Sequence, residues 1–239
     1  MKLAILSDIH AAADAFEAAL RAAREEGFDK LLILGDLLTY GPSPERTLDL
    51  TADAVSRDGA VLVIGNHDEF YRSPDAISLY YPAGLPDWIQ ESISWTSSRM
   101  TRDPLSSFQW QDEWAEGALL MAHANPFGAG DWTYLRSDSD FDRASAVLSD
   151  RGYRYGLFGH IHRFVCRRFG ENWVATIGSI GQPRDRKAPL PQWAVARYDG
   201  RCWEVEQRHV EFDWGPHLTA IQATNMSSST KQRLSAFFT

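Results

Sequence analysis

Apolar and polar positions fall along this chain in blocks that indicate their own elements. Residues 2–7 (KLAILS), 31–34 (LLIL) and 60–64 (AVLVI) are short, continuous apolar runs, the pattern of strands buried on both faces. Two helical stretches separate them. The first is alanine-rich: Asp14-Ala15-Phe16-Glu17 has the spacing of a capping box, and the helix runs to about Glu26 and ends at Gly27. The second begins near Pro44 and runs to about Arg57, where Gly59 breaks it. Three apolar strands alternating with helices predict a parallel sheet of βαβ units.

The pattern then changes. Residues 70–117 are crowded with aromatics, among them Phe70, Tyr71, Tyr80, Tyr81, Trp88, Trp95, Phe108, Trp110 and Trp114. The spacing predicts one helix from about Asp87 to Met100 and a second opening at Asp103-Pro104. Trp88, Ser92, Trp95 and Arg99 share one face of the first. Packing is the favoured role for these rings, and a substrate lid the alternative. Strand signals return at 118–122 (ALLMA) and at 155–158 (YGLF), with a helix over about 140–150 between them. The runs RFVCRRFG, NWVATIGSIG, QWAVARYDG and CWEVEQRHV are short and broken by glycine, and predict antiparallel meander strands. The polar end, SSSTKQRLSAFFT, is expected to fray.

Bulk properties narrow the partners. A chain of 239 residues with 44% hydrophobic content suits a single domain, with the aromatic stretch at about 70–117 as a helical insert. A net charge of −8 and the lack of a basic tract argue against stable nucleic-acid binding. No apolar run has the length of a membrane span, and the start is too short in apolar residues for a signal peptide. Cys166 and Cys202 stand far apart, which suits reduced thiols and a cytoplasmic location.

The candidate chemistry sits where the apolar runs stop. The first is followed by Ser7-Asp8-Ile9-His10, the second by Gly35-Asp36 and the third by Gly65-Asn66-His67-Asp68. The next two lead into His123 and into Gly159-His160-Ile161-His162. Strand C-terminal ends form one rim of an α/β sheet, the place where such sheets bind ligands. Each piece alone is ordinary: Asp-x-His and Gly-Asp are usually turns, and a lone histidine usually belongs to a core. The conjunction is not, because five of the seven histidines fall in these clusters. His209 and His217 lie outside and are expected to be surface or packing residues. Carboxylates, imidazoles and an amide without thiolate suit Mn, Fe, Zn, Ni or Co. There are too many donors for one ion, and two ions about 3.5–4 Å apart would use them all.

In this order, SDIH, GDLLTYGP, GNHD, an apolar strand ending in His123, GHIH and GSIGQPRDR resemble the calcineurin-like metallophosphoesterases, and in particular their small bacterial phosphodiesterases and phosphatases. The resemblance covers about residues 2 to 212. It implies an α/β fold, a four-layer α/β/β/α sandwich of two mixed sheets with a dimetal site at the strand C-terminal ends. Carried over by motif, one ion would be held by Asp8, His10, Asp36 and His162. The other would be held by Asp36, Asn66, His123 and His160, with Asp36 as the bridge. Mn²⁺ is the first expectation for both. His67 would be the proton donor, and Asp68 would orient and charge-support it.

The implied reaction is hydrolysis of a phosphoester by a hydroxide shared between the ions, with His67 protonating the leaving oxygen. The substrate would be a phosphodiester or a small phosphorylated metabolite, nucleotides included, and the protein could form a homo-oligomer. Residues 37–40 (LLTY) lack the arginine that protein phosphatases of this superfamily carry there, which favours a monoanionic diester. Protein phosphatase and dinucleotide polyphosphate hydrolase activities are the alternatives. A catalytically inactive protein-binding scaffold is the alternative of another class; the intact ligand set argues against it. Two departures from the family pattern stand out. Ala11-Ala12 replaces the usual Gly-Asn, and Asn125 follows His123 where a Gly-Ser pair is usual, an alteration expected at the pocket floor. Tyr40 is expected either to pack or to lean over the leaving group, and Arg184 either to approach the site or to pair with Asp185.

Overall fold

The computed structural model describes residues 1–73, 75–100, 104–184 and 189–238. Its strands are β1 (Lys2–Leu6), β2 (Lys30–Ile33), β3 (Val61–Val63), β4 (Trp110–Gln111), β5 (Glu113–Glu116), β6 (Leu119–Ala122), β7 (Tyr155–Phe158), β8 (Val165–Phe169), β9 (Asn172–Thr176), β10 (Gln192–Tyr198) and β11 (Trp203–His209). Its helices are α1 (Ala13–Glu26), α2 (Pro44–Asp58), α3 (Asn66–Arg72), α4 (Ala76–Tyr80), α5 (Asp87–Arg99), α6 (Asp138–Asp150), α7 (Gly215–Ala223) and α8 (Ser228–Ser235).

Two mixed sheets lie between helices. One has the order β11-β10-β1-β2-β3-β4, and the other β5-β6-β7-β9-β8. Strands β1 to β4 run parallel, as do β6, β7 and β9, while β10 and β8 run antiparallel to their neighbours β1 and β9. The layers follow from the two-residue period of a strand. Leu3 and Ile5 of β1 face a core shared with Met121, Leu157 and Trp173 of the second sheet. Ala4 and Leu6 face the other way, onto Phe16 and Leu20 of α1 and Leu48 of α2. On the far side of the second sheet, Leu120 and Phe158 pack against Phe141 and Leu148 of α6. The predicted α/β/β/α sandwich is therefore present.

Four local expectations are corrected. The glycine-broken runs of the last third are not one meander. They form two hairpins, β8-β9 and β10-β11, one on each sheet, and β9 lies parallel to β7. The Asp14–Glu17 capping box does not form, because α1 already begins at Ala13. Asp14 and Glu17 pair instead with Arg46 of α2. The helix expected at Asp103-Pro104 is a single 3₁₀ turn over Pro104–Ser107, with Asp103 outside the described residues, and the aromatic stretch ends in strands β4 and β5, one in each sheet. The C-terminal segment does not fray. The carboxylate of Glu91 on α5 accepts from the Ser227 amide at 2.6 Å, from its hydroxyl at 2.6 Å and from the Thr230 hydroxyl, and Leu234 is buried. The α5 face behaves as expected: Trp88 and Trp95 pack against Tyr40, Ile221 and Leu234, while Ser92 is buried.

Candidate metal centre

The apolar runs feed their polar ends into one place, drawn from both sheets. Asp8 and His10 follow β1, Asp36 follows β2, and Asn66 and His67 open α3 directly after β3. His123 follows β6, and His160 and His162 follow β7. Backbone bonds continue beyond the strands and lock these loops together. The amides of Asp8 and His10 donate to the carbonyls of Gly35 and Asp36 at 3.1 and 2.9 Å, and that of Gly159 donates to His123 at 2.7 Å. Close approach explains the glycines: a Cβ on Gly65 would lie 2.3 Å from Asp36 Oδ1, and one on Gly159 would lie 2.8 Å from Asp8 Oδ2. Asp8, His10, Asp36, His160 and His162 all adopt left-handed backbone angles, with φ between 48° and 68°. Non-glycine residues hold such angles where the surroundings dictate them, commonly at functional sites.

Two buried triads result, Asp8-His10-His162 and Asp36-His123-His160. Each imidazole is oriented by a backbone carbonyl on its outer nitrogen. His10 Nδ1 donates to Leu38 O at 3.1 Å, His162 Nδ1 to Gln182 O at 2.8 Å, His123 Nδ1 to Leu34 O at 2.5 Å and His160 Nε2 to Trp132 O at 3.0 Å. With one ring proton used there, the inner nitrogen of each ring is the one left to face a ligand. These inner nitrogens converge. His10 Nε2 is 3.2 Å from His162 Nε2, and His123 Nε2 is 3.2 Å from both His160 Nδ1 and Asn66 Oδ1. Among the described residues, Asp8 Oδ1 is buried without a hydrogen-bond donor. A group of acceptors aimed at one another fits a cation, and the donor types fit a transition metal.

The charges agree. Burial would raise the Asp36 carboxyl, but His123, His67 and His10 hold it well below the usual carboxylate range. Burial presses His123 down, yet Asp36 and Asp8 carry it up to about 10, a measure of how strongly this pocket favours positive charge. Burial lowers His10, and it lowers His160 to about 3 with help from His123.

All seven expected ligands thus meet, with Asn66 turned inward because its Nδ2 donates to Tyr81 Oη at 2.9 Å. His67 lies beside them, its ring centroid 5.1 Å from that of His10. Asp68 does not support His67. Its carboxylate accepts from the amides of Asp36 (2.7 Å), Leu37 (2.9 Å) and Gly65 (3.1 Å), clasping two loops of the site. Asn125 is not at the pocket floor either. Its Nδ2 donates to the carbonyls of Asp131 and Thr133, fixing the loop that brings the Trp132 carbonyl and the Tyr134 ring onto His160. Ala11 and Ala12 are fully buried beside intact triads. Arg184 does approach the site: its amide donates to His162 O and its Nη2 to Gln182 Oε1, while Asp185 lies outside the described residues. His217 is a packing residue against Trp214 and Phe238. The orienting carbonyls escaped the sequence, since a carbonyl carries no residue signature. Tyr81 was visible only as one aromatic among many, and Tyr134 carried no signal in the sequence.

A two-sheet sandwich with paired His/Asp triads at its strand ends is the architecture of a metal-dependent phosphoesterase. The chain belongs to that class: residues 1–200 match the calcineurin-like phosphoesterase superfamily domain. An uncharacterized protein of Methanocaldococcus jannaschii is 25% identical over 234 residues, spanning 88% of each chain. Among solved structures, a metallophosphoesterase from Sphaerobacter thermophilus is similar with a TM-score of 0.76 and 21% identity, over 99% of this chain and 100% of that one. A hypothetical protein from Pyrococcus horikoshii is similar with a TM-score of 0.80 and 17% identity, over 98% and 97%. At these identities the structural likeness concerns the fold.

Proposed function

We propose that this protein hydrolyses a phosphodiester or a small phosphorylated metabolite at a two-metal site, with Mn²⁺ as the first candidate for both ions. The observation that carries the reading is the position of Asp36. Its Oδ2 is 3.7 Å from His10 Nε2 in one triad and 3.5 Å from His123 Nε2 in the other, so one carboxylate oxygen lies near the inner nitrogens of both. Asp8, His10, His162 and Asp36 would hold one ion; Asp36, Asn66, His123 and His160 would hold the second. Bound there, the ions would supply Lewis acidity toward the phosphoryl oxygens and an activated water.

The chain's own residues do the rest. The outer carbonyls keep the four imidazoles in the tautomer that ligates. Asp68 holds the Asp36 and Asn66 loops at fixed spacing through their amides. His67 donates a proton to the leaving oxygen, the step that lets a poor leaving group depart. Tyr40 stands where the sequence lacks an arginine, and the charge of Arg184 bears on both Tyr40 and His162 from another loop. One guanidinium suits a monoanionic diester better than a dianion needing a clamp.

The test is a panel of bis-(p-nitrophenyl) phosphate, p-nitrophenyl phosphate and a phosphopeptide, assayed with the Mn²⁺-loaded protein. Turnover fastest on the diester and none on the peptide is the expected result. Two bound ions with no turnover on any of the three would leave the scaffold reading in its place.

A further inference from the structure

The ring of His67 has one hydrogen-bond partner among the described residues, and it is not the neighbouring carboxylate. Tyr40 Oη lies 3.1 Å from His67 Nε2, while Nδ1 is buried without a partner. Both oxygens of Asp68 are taken by backbone amides. A phenol therefore occupies the place where a carboxylate was expected.

Tyr40 is itself held from three directions. It has a left-handed backbone at φ 71°, following Thr39 at φ 73°, a conformation that a bulky residue keeps only when its surroundings enforce it. Its amide donates to Ser92 Oγ at 2.8 Å, on a fully buried side chain of α5. Its ring stacks on Trp88 of the same helix, with centroids 5.4 Å apart at 25°. Its other ring contacts are His10 and His67, at 4.7 and 4.8 Å. Helix α5 thus presents two residues to one tyrosine, and that tyrosine presents its hydroxyl to one histidine.

We infer that Tyr40 is the positioning residue of His67, braced for that task by Ser92 and Trp88; the inference rests on the phosphohydrolase reading above. A phenol fixes the imidazole plane as a carboxylate would, without adding negative charge beside an anionic substrate. The aromatic stretch then has a role beyond packing. It carries the brace for the acid from outside the strand-end motifs.

Tyr40→Phe removes the hydroxyl and keeps the ring, so the packing on Trp88 survives. Two readouts decide the matter. In the Zn²⁺-loaded protein, nitrogen NMR of the histidine rings should show the His67 signals displaced in Tyr40→Phe and those of His217 unmoved. In the Mn²⁺-loaded protein, kcat should fall about tenfold on a phenyl phosphodiester and less than about twofold on the p-nitrophenyl diester, whose leaving group departs without an acid, with KM unchanged on both. An unmoved His67 signal overturns the inference. Equal loss on both esters, or loss on neither, also overturns it. An inactive wild type with two ions bound marks a different failure: the phosphohydrolase reading falls, and the acid role of His67 with it.

Discussion

His123 Nε2 and His160 Nδ1 face one another at 3.2 Å, while the carbonyls of Leu34 and Trp132 take the protons on the far sides of the two rings. His10 and His162 repeat the arrangement across the other triad. The opposed lone pairs of His10 and His162 repel in a buried site, and a cation between them reverses the sign; at His123, which Asp36 and Asp8 carry up to about 10, a proton fills the gap until an ion displaces it. Removal of metal by a chelator should therefore lower the melting temperature by several degrees, and added Mn²⁺ should restore it. The gain is about 3 kcal/mol for each ion bound at a free concentration a hundredfold above its Kd. Elemental analysis of the restored protein should give two ions per chain. A count of one, or melting indifferent to the chelator, would count against a paired site.

Asp68 clasps three amides from two loops, so its substitution should act on structure before chemistry. Asp68→Asn keeps one acceptor oxygen and turns an NH₂ group toward amides that also donate. The loss should be about 2–4 kcal/mol in urea unfolding, with weaker ion binding because the Asp36 amide is one of the three. Unchanged stability with a lower kcat would return Asp68 to the side of His67.

Among the described residues, Tyr40 holds one ring nitrogen of His67 and the other has no partner, so neither is bonded to an expected ligand. His67→Ala should keep both ions and melt close to the wild type, while kcat on a phenyl ester falls by about 10²–10⁴. Loss of an ion in this variant would make His67 a ligand rather than the acid.

The site was more legible than the path of the chain around it. Asp8, Asp36 and His160 announce themselves because each ends an apolar run, and strand ends share a rim whatever the strand order. The division between sheets was not legible, since LLIL and ALLM read alike although β2 and β6 lie in different sheets. The same limit applies to β9: its run shows a strand, and nothing in it shows β7 as a parallel neighbour. Asp68 was misassigned because its partners are backbone amides, which every residue has. The docking of α8 depends on Glu91, a single carboxylate far away in the chain.

His217 offers a test of stability that avoids the metal ligands. It is 7% exposed, packed against the rings of Trp214 and Phe238. Burial lowers its pKa from 6.5 to about 4, with Asp14 opposing weakly. The unfolded chain therefore binds a proton between these two values that the folded chain refuses, and stability rises with pH across that window. The contribution is complete above about pH 6.5 and is lost as pH falls toward 4. At pH 5 the loss should be about 2 kcal/mol relative to pH 8, given 1.36 kcal/mol per unit. His217→Gln removes the titration, so its urea midpoint should fall less between pH 8 and pH 5 than that of the wild type. The ligand histidines titrate in both proteins and cancel in the comparison. Parallel pH profiles would mean that His217 accepts its proton in the folded state, and that its ring is not held where the packing puts it.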